Sequence, residues 1–141
     1  AVYAAARDIL SRYLALVPEL SEPYFVLAQL DFATGNEAAA AEDAEKGKAV
    51  YRGDIKTARR AAGYYITVSD FGNAALFLLD IVREAPDDTA SAYDLAKALY
   101  LSGDKAAAAA LVAGLRERAP TVLETDPDFL AAITAYEQSI Q

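Results

Sequence analysis

The side chains that could act chemically in this chain are carboxylates, hydroxyls, amines and guanidinium groups, because it contains neither His nor Cys. The usual proton shuttle and all thiolate chemistry are therefore excluded. The Ser-Asp pair at 69–70 and the Ser-Gly-Asp run at 102–104 have the residue types of helix caps rather than of nucleophiles. The acidic clusters at 42–45 and 87–88 lack the spacing of a calcium-binding loop. We predict that the chain is not an enzyme and that it has no metal site and no cofactor.

Binding chemistry is better represented, since aromatic, basic and amide side chains recur at helical spacing in three stretches of the chain. The set comprises Phe25, Gln29, Phe32, Lys56, Arg59, Arg60, Tyr93, Lys97 and Tyr100. Aromatic residues and Arg supply much of the binding energy at protein interfaces. We predict that these nine side chains contact a peptide or protein partner, and that the cationic members favour an acidic one. An alternative is that Phe32 and Tyr100 pack in the core, while the basic residues at 56–60 form a solvated helix face.

The net charge limits the class of partner. The chain carries 13 Lys or Arg residues and 21 Asp or Glu residues, which gives a formal net charge of -8. A negative field of this size disfavours nucleic acids and anionic membrane surfaces. No apolar stretch is long enough to span a bilayer, so we predict no membrane insertion of this segment. A soluble domain is expected, with its cellular compartment left open.

Residues of similar size recur at intervals of 34, and this period defines the elements that carry the binding residues. Pro86 and Pro120 are one interval apart, and Pro18 precedes Pro86 by two intervals. Small side chains recur as Ala6, Ala40, Ala74 and Ala108 and as Ala28, Ala62 and Ala96, and apolar ones recur as Leu27, Ala61, Leu95 and Phe129. A further position of the 34-residue interval is occupied by Tyr65, Leu99 and Ile133. The equivalent residue in the first hairpin is the charged Asp31, which is an exception.

Each interval predicts two helices joined by a tight turn. In the clearest one, Leu95 and Leu99 lie on one helical stripe, the run at 102–104 breaks the helix, and Pro120 ends the next helix. Small residues on both helices let the two backbones approach closely. We predict one domain over residues 1–141, with full hairpins at 19–52, 53–86 and 87–120, the second helix of a truncated repeat at 2–17, and a final helix within 121–141.

These positions resemble the tetratricopeptide repeat, in which a Leu-Gly pair, a Tyr, an Ala, a large apolar residue and a closing Pro recur. The matching residues are Ala61-Ala62, Tyr65, Phe71, Ala74, Leu78 and Pro86 in the middle hairpin, and Leu95-Ala96, Leu99, Gly103-Asp104, Ala108, Val112 and Pro120 in the last one. The hairpin at 19–52 keeps fewer of them. The resemblance implies an all-α fold, namely a right-handed α-solenoid of antiparallel hairpins with about eight helices. It also implies that the first helices line a concave groove that holds the nine predicted contacts.

A second resemblance concerns the stretch from Tyr24 to Gly35 and the ending at 120–133. Both are similar to the tetratricopeptide tails of bacterial envelope proteins of the O-antigen ligase and polymerase type. A membrane domain precedes the repeats in such proteins, so this resemblance implies tethering through segments outside this chain. It also implies an alternative function as a structural or assembly tail.

The predicted helix at 2–17 favours self-association as a further alternative. It lacks a hairpin mate, so its apolar residues need a cover from elsewhere. The residues concerned are Ile9, Leu10, Tyr13 and Leu14. Upstream sequence or a second copy of the chain would supply that cover.

Overall fold

The structure, a computed structural model, describes residues 2–141, and the first residue of the predicted 1–141 domain lies outside this range. All regular elements in the described part are helices, and none of them is a strand. In chain order they are α1 (Val2–Leu16), α2 (Ser21–Ala33), α3 (Glu37–Ala49), α4 (Ile55–Thr67), α5 (Phe71–Glu84), α6 (Thr89–Ser102), α7 (Lys105–Arg118), α8 (Pro120–Glu124) and α9 (Pro127–Ser139). Within 2–141, none of these helices has both the length and the apolar character that crossing a bilayer requires.

Two compact units divide the chain, and the boundary falls inside α4, between Tyr64 and Tyr65. In the first unit, α2 and α3 pack together and α1 packs against α2. In the second unit, α5 packs against α6, α6 against α7, and α7 against both α8 and α9. Short connections join α1 to α2, α2 to α3, α5 to α6 and α6 to α7.

The turns inside the hairpins are copies of one backbone structure at 34-residue spacing. Gly35, Ser69 and Gly103 have left-handed φ angles of 87°, 59° and 107°. The next amide donates to the carbonyl five residues earlier in all three turns, from Asn36 to Asp31 at 2.8 Å, from Asp70 to Tyr65 at 2.8 Å and from Asp104 to Leu99 at 2.9 Å. This bond is the mark of a Schellman motif, in which glycine is favoured because it has no Cβ.

Aspartate side chains cap the helices that follow. Asp70 accepts a hydrogen bond from the Asn73 amide, and Asp104 accepts one from the Ala107 amide. Both residues are N-caps, as their types predict. Asn36 occupies the equivalent position but makes no such side-chain bond.

Small residues lie at the centre of each helix pair. Ala40, Ala74 and Ala108 are all fully buried, which confirms the predicted register of the second helices. Ala28 and Ala96 on the first helices are also fully buried. In the second unit, Ala96 and Ala108 belong to one core cluster together with Ala92, Val112, Leu115, Leu123, Phe129 and Ile133. Close packing of this kind is sensitive to any increase in side-chain volume.

The structure corrects the predicted role of Pro120. The sequence predicts a final helix that is started by Asp126 and Pro127, and it predicts that Pro120 ends the helix before it. Instead, α7 ends at Arg118 and Pro120 begins the short helix α8, because proline is well suited to the first helical position. The last helix, α9, starts at Pro127 and is capped by Asp126, which accepts from the Phe129 amide at 3.2 Å.

The substitution Ala108→Leu tests the close helix contact. Three added carbons have no space at a fully buried position, so we expect the free energy of unfolding to fall by about 1–3 kcal/mol. Ala110→Leu is the matched control, since Ala110 is exposed on the same helix and should change stability by no more than about 0.5 kcal/mol. Urea unfolding followed by circular dichroism gives both values, and equal values would contradict the register.

Candidate functional site

Three of the predicted contacts in the first unit form a basic face on α4. Lys56, Arg59 and Arg60 are exposed and share one side of the helix because they are three and four residues apart. Glu22 of α2 lies 3.6 Å from the Lys56 Nζ and 3.6 Å from the Arg60 Nε. Exposed ion pairs at such distances contribute little to stability. We call this surface the α4 basic face. Its residues Lys56 and Arg60 are therefore able to exchange Glu22 for another carboxylate.

Two further predicted contacts, Gln29 and Phe32, are half-buried on α2. The Gln29 side-chain amide donates to the Arg60 carbonyl at 3.4 Å, which links α2 to α4 within the first unit. A Cβ at Gly63 would lie 3.4 Å from this amide, so the absence of a side chain there leaves it room. Both residues still present part of their surface to solvent.

Phe25 is a correction to the predicted set. The structure buries it completely, so it has no surface to offer a partner. The physical reason is its packing against Gly47 of α3, where an added Cβ would lie only 2.9 Å from the Phe25 ring. Ser21 holds the same crossing by donating to the Gly47 carbonyl at 2.6 Å. Phe25 thus fills the space that a glycine leaves between α2 and α3.

In the second unit, the three predicted contacts on α6 are half-buried against the start of α9. Tyr93 and Tyr100 meet the Phe129 ring edge-on, with centroid distances of 5.9 and 5.8 Å. Lys97 donates to the Asp126 carboxylate at 2.6 Å, and Tyr93 donates to the same oxygen. These side chains take part in packing and also keep some surface, which combines the two interpretations that the sequence leaves open.

The charges at this contact stabilise one another. Hydrogen bonds from Lys97 and Tyr93 lower the pKa of Asp126 to about 2. Burial, together with the hydrogen bond to Asp126, raises the pKa of Tyr93 to about 12. Asp126 is therefore ionised and Tyr93 neutral throughout the physiological range, so the contact persists at any ordinary pH.

A cleft of about 300 Å³ lies beside these residues in the second unit. Tyr93, Asp94 and Lys97 supply its polar lining, and the remaining lining residues are Ile66, Phe71, Ala98 and Leu101. Leu101, at the edge of the cleft, is 48% exposed. The predicted contacts Tyr93 and Lys97 therefore border a concave surface with apolar walls.

Sequence reasoning missed a buried charge cluster in the first unit. The Arg7 Nε donates to the Asp31 carboxylate at 2.7 Å, and the second guanidinium nitrogen approaches it at 3.4 Å. The Asp31 side chain is only 1% exposed, whereas that of Arg7 is 46% exposed. Asp43 of α3 is hydrogen-bonded to Asp31 and is also buried. The one indication in the sequence was that Asp31 stands where the other repeats have apolar residues.

Asp43 is the most strained member of this cluster. Burial, followed by the hydrogen bond and negative charge of Asp31, raises the pKa of Asp43 to about 6. Lys46 and Arg7 oppose the rise but do not cancel it. At neutral pH, the ionised Asp43 therefore lies beside Asp31, and the Arg7 guanidinium group is close to this pair. Within residues 2–141, no set of three or more acidic side chains is arranged to hold a metal ion.

The comparisons with known proteins bear on the fold. No protein-family model matches the chain, and no curated protein matches it. A solved chain from the structure of Naa15/Naa10 bound to HypK-THB is similar to it, with a TM-score of 0.62 at 14% identity. The similarity covers 92% of this chain and 22% of that one, so this chain spans about a fifth of its length. At this identity the likeness shows the fold alone, and it supports the predicted α-solenoid of tetratricopeptide-like hairpins.

The substitution Asp43→Asn tests the charge cluster through its pH dependence. The folded state keeps the Asp43 proton up to about pH 6, whereas the unfolded chain releases it near 3.8, so stability from this group is lost as pH rises through that window. The amide cannot ionise, so we expect the variant to gain about 1–3 kcal/mol over the parent between pH 4 and pH 7. Chemical unfolding at both pH values measures this gain.

Glu45→Gln is the control for that experiment, because Glu45 is exposed on the same helix. Its stability relative to the parent should be nearly the same at the two pH values. If the gain in the free energy of unfolding of Asp43→Asn over the parent does not grow with pH, Asp43 ionises normally in the folded protein.

Proposed function

We propose that this chain is a protein-interaction module whose first helices bind a peptide or a partner protein. The observation that carries the proposal is the α4 basic face, where three exposed cations share one side of α4 and Gln29 of α2 reaches the Arg60 carbonyl. Phe32, also on α2, is half-buried and keeps some aromatic surface. Cations and aromatic surface together are typical of interface hot spots. A carboxylate-bearing segment of the partner would take the place that Glu22 now occupies beside Lys56 and Arg60.

The fold supports this proposal without naming the partner. Helical-repeat proteins present extended surfaces on the helices that are not used for stacking. The similar solved structure is a complex of Naa15 and Naa10 bound to HypK-THB, which is a case of a protein of this fold type found in an assembly. We extend from it only the idea that the partner of this chain is a polypeptide.

A selection of random peptides on the intact chain tests the proposal, followed by affinity measurements on the enriched sequences. We expect acidic sequences among them, and we expect Arg59→Glu to weaken their binding about tenfold or more, because the reversed charge repels the ligand. Arg83→Glu is the matched control, since it makes the same charge change at an exposed site on α5. Unchanged affinity in Arg59→Glu would exclude the α4 basic face.

Glu22→Gln gives a result of opposite sign in the same assay. Removing the competing carboxylate leaves Lys56 and Arg60 free to pair with the ligand, so acidic peptides should bind several-fold tighter. A gain in affinity does not arise from partial unfolding. If no peptide is enriched on the parent chain, the interaction proposal is overturned.

A second candidate function is self-assembly, and the exposed face of α1 favours it. Val2, Ile9, Tyr13 and Leu16 lie on one side of α1 and are 81%, 66%, 46% and 81% exposed. The residue 34 positions after Tyr13 is Gly47 of α3. Gly47 packs against Phe25 of α2, the first helix of the same hairpin. The uncovered side of α1 is therefore the side that a first helix covers in a full hairpin.

We infer that a second copy of the chain is the occupant of this α1 face. Sedimentation velocity over a wide range of concentration should show association that Ile9→Glu abolishes. Leu76→Glu is the control, since Leu76 is similarly exposed on α5. A parent chain that remains monomeric at every concentration would exclude the assembly function. The envelope-protein tail stays a prediction, because no comparison links the chain to such proteins.

A further inference from the structure

The formal charge of this protein is concentrated in its second unit. From Tyr65 onward the chain has five Lys or Arg residues and twelve Asp or Glu residues, a net of -7. The residues up to Tyr64 have eight of the former and nine of the latter, a net of -1. The second unit therefore attracts cationic segments, which is the opposite of what the α4 basic face attracts.

Asp94 brings this charge into the cleft of the second unit. It lines the cleft and is half-buried on α6. Among the residues that the structure describes, none forms a hydrogen bond or an ion pair with its carboxylate. Lys97 is the cation that shares the cleft with it, but the Lys97 ammonium group is bound to Asp126 at 2.6 Å. A partly desolvated carboxylate without a partner is unfavourable unless a ligand supplies one.

The direction of the pKa shift of Asp94 agrees with its position in the cleft. Burial, with a contribution from the nearby Asp88 carboxylate, raises the pKa of Asp94. The positive charge of Lys97 opposes this rise only in part. A second cation brought into the cleft would remove the strain, because an opposite charge favours the ionised carboxylate.

The remaining walls of the cleft are apolar. Ala98 lies at the wall, and the exposed side chains of Leu101 and Ile66 border it, the latter 38% exposed. A volume of about 300 Å³ is at the lower end for small-molecule pockets and suits one or two side chains. Such a surface gains affinity by burying an apolar side chain of the ligand.

We propose that this cleft binds a polypeptide segment in which an apolar side chain adjoins a Lys or Arg, with the apolar group against Leu101 and the cation paired to Asp94. The proposal rests on the function proposed above and specifies the chemistry of one subsite. The segment recognised by the second unit is thus basic and apolar, in contrast to the acidic segment expected at the α4 basic face.

Short synthetic peptides, acetylated and amidated at their ends, test this chemistry. Each has a central Leu whose neighbours are Lys, Gln or Glu, and binding to the intact chain is followed by amide chemical shifts in NMR spectra. We expect the Lys peptide to bind about tenfold tighter than the Glu peptide, since like charges are repelled, and to shift the amides of Asp94, Ala98 and Leu101. Equal binding of the three peptides at these amides would overturn the proposal.

Two pairs of variants separate the contribution of the Asp94 charge to peptide binding from that of the Leu101 side chain. Asp94→Asn should abolish the preference for Lys over Gln, whereas Glu117→Gln, which removes the same charge from an exposed site on α7, should leave it intact. Leu101→Ala should weaken the Lys and Gln peptides alike, whereas Leu76→Ala should not. Asp94→Asn removes a strained charge, so it is expected to fold, which its circular dichroism spectrum checks. An unchanged preference in folded Asp94→Asn would reject Asp94 as the cation partner.

The outcome also separates this proposal from the more general one. If only acidic peptides bind, and Arg59→Glu weakens them, the chain is an interaction module but the basic-apolar subsite does not exist. If peptides with Leu and Lys bind and respond to Asp94→Asn, both proposals stand. If no peptide of any charge binds, both fall.

Discussion

The close approach of paired helices at small buried residues is the constraint that governs the packing of this protein. Ala40, Ala74 and Ala108 are fully buried at equivalent positions of three second helices. Where the helices approach closely, little volume is left for side chains. The side chains at neighbouring positions must therefore have sizes that fill the remaining space. Gly47 shows this directly, because its lack of a side chain makes the space that Phe25 fills. The surfaces left for binding are those that this packing does not use.

The polar residues of the core follow from the same constraint. An alanine-rich contact cannot satisfy a buried carboxylate, so Asp31 is stable only because Arg7 reaches it from α1. This pair ties α1 to α2 within the first unit. Asp43 shares the cluster at a cost that is evident in its raised pKa. In the second unit, Asp126 acts both as the cap of α9 and as the acceptor for Lys97 and Tyr93.

Two surfaces of opposite charge are not used by these internal contacts, namely the α4 basic face and the cleft that Asp94 lines. Lys56 and Arg60 of the α4 basic face lie 3.6 Å from Glu22, in loose ion pairs that allow either cation to exchange partners. In the cleft beside α6, no residue within the described range 2–141 forms a hydrogen bond or an ion pair with Asp94, while Lys97 is held by Asp126. Charged groups steer encounter and set specificity more than they add affinity. Under the proposed function, surfaces of opposite charge would therefore discriminate between segments of a partner.

The repeat, its turns and its buried register were predictable from the order of amino acids, because they depend on local rules. The turn residues at 35, 69 and 103 and the capping aspartates all act within a few residues of their position. Which side chains meet across the fold was not predictable. Arg7 and Asp31 are 24 residues apart, and Lys97 and Asp126 are 29 apart, so no helical spacing relates them. The burial of Phe25 against Gly47 and the position of Asp94 in a cleft likewise depend on which side chains other helices bring to that point, and this is a property of tertiary packing.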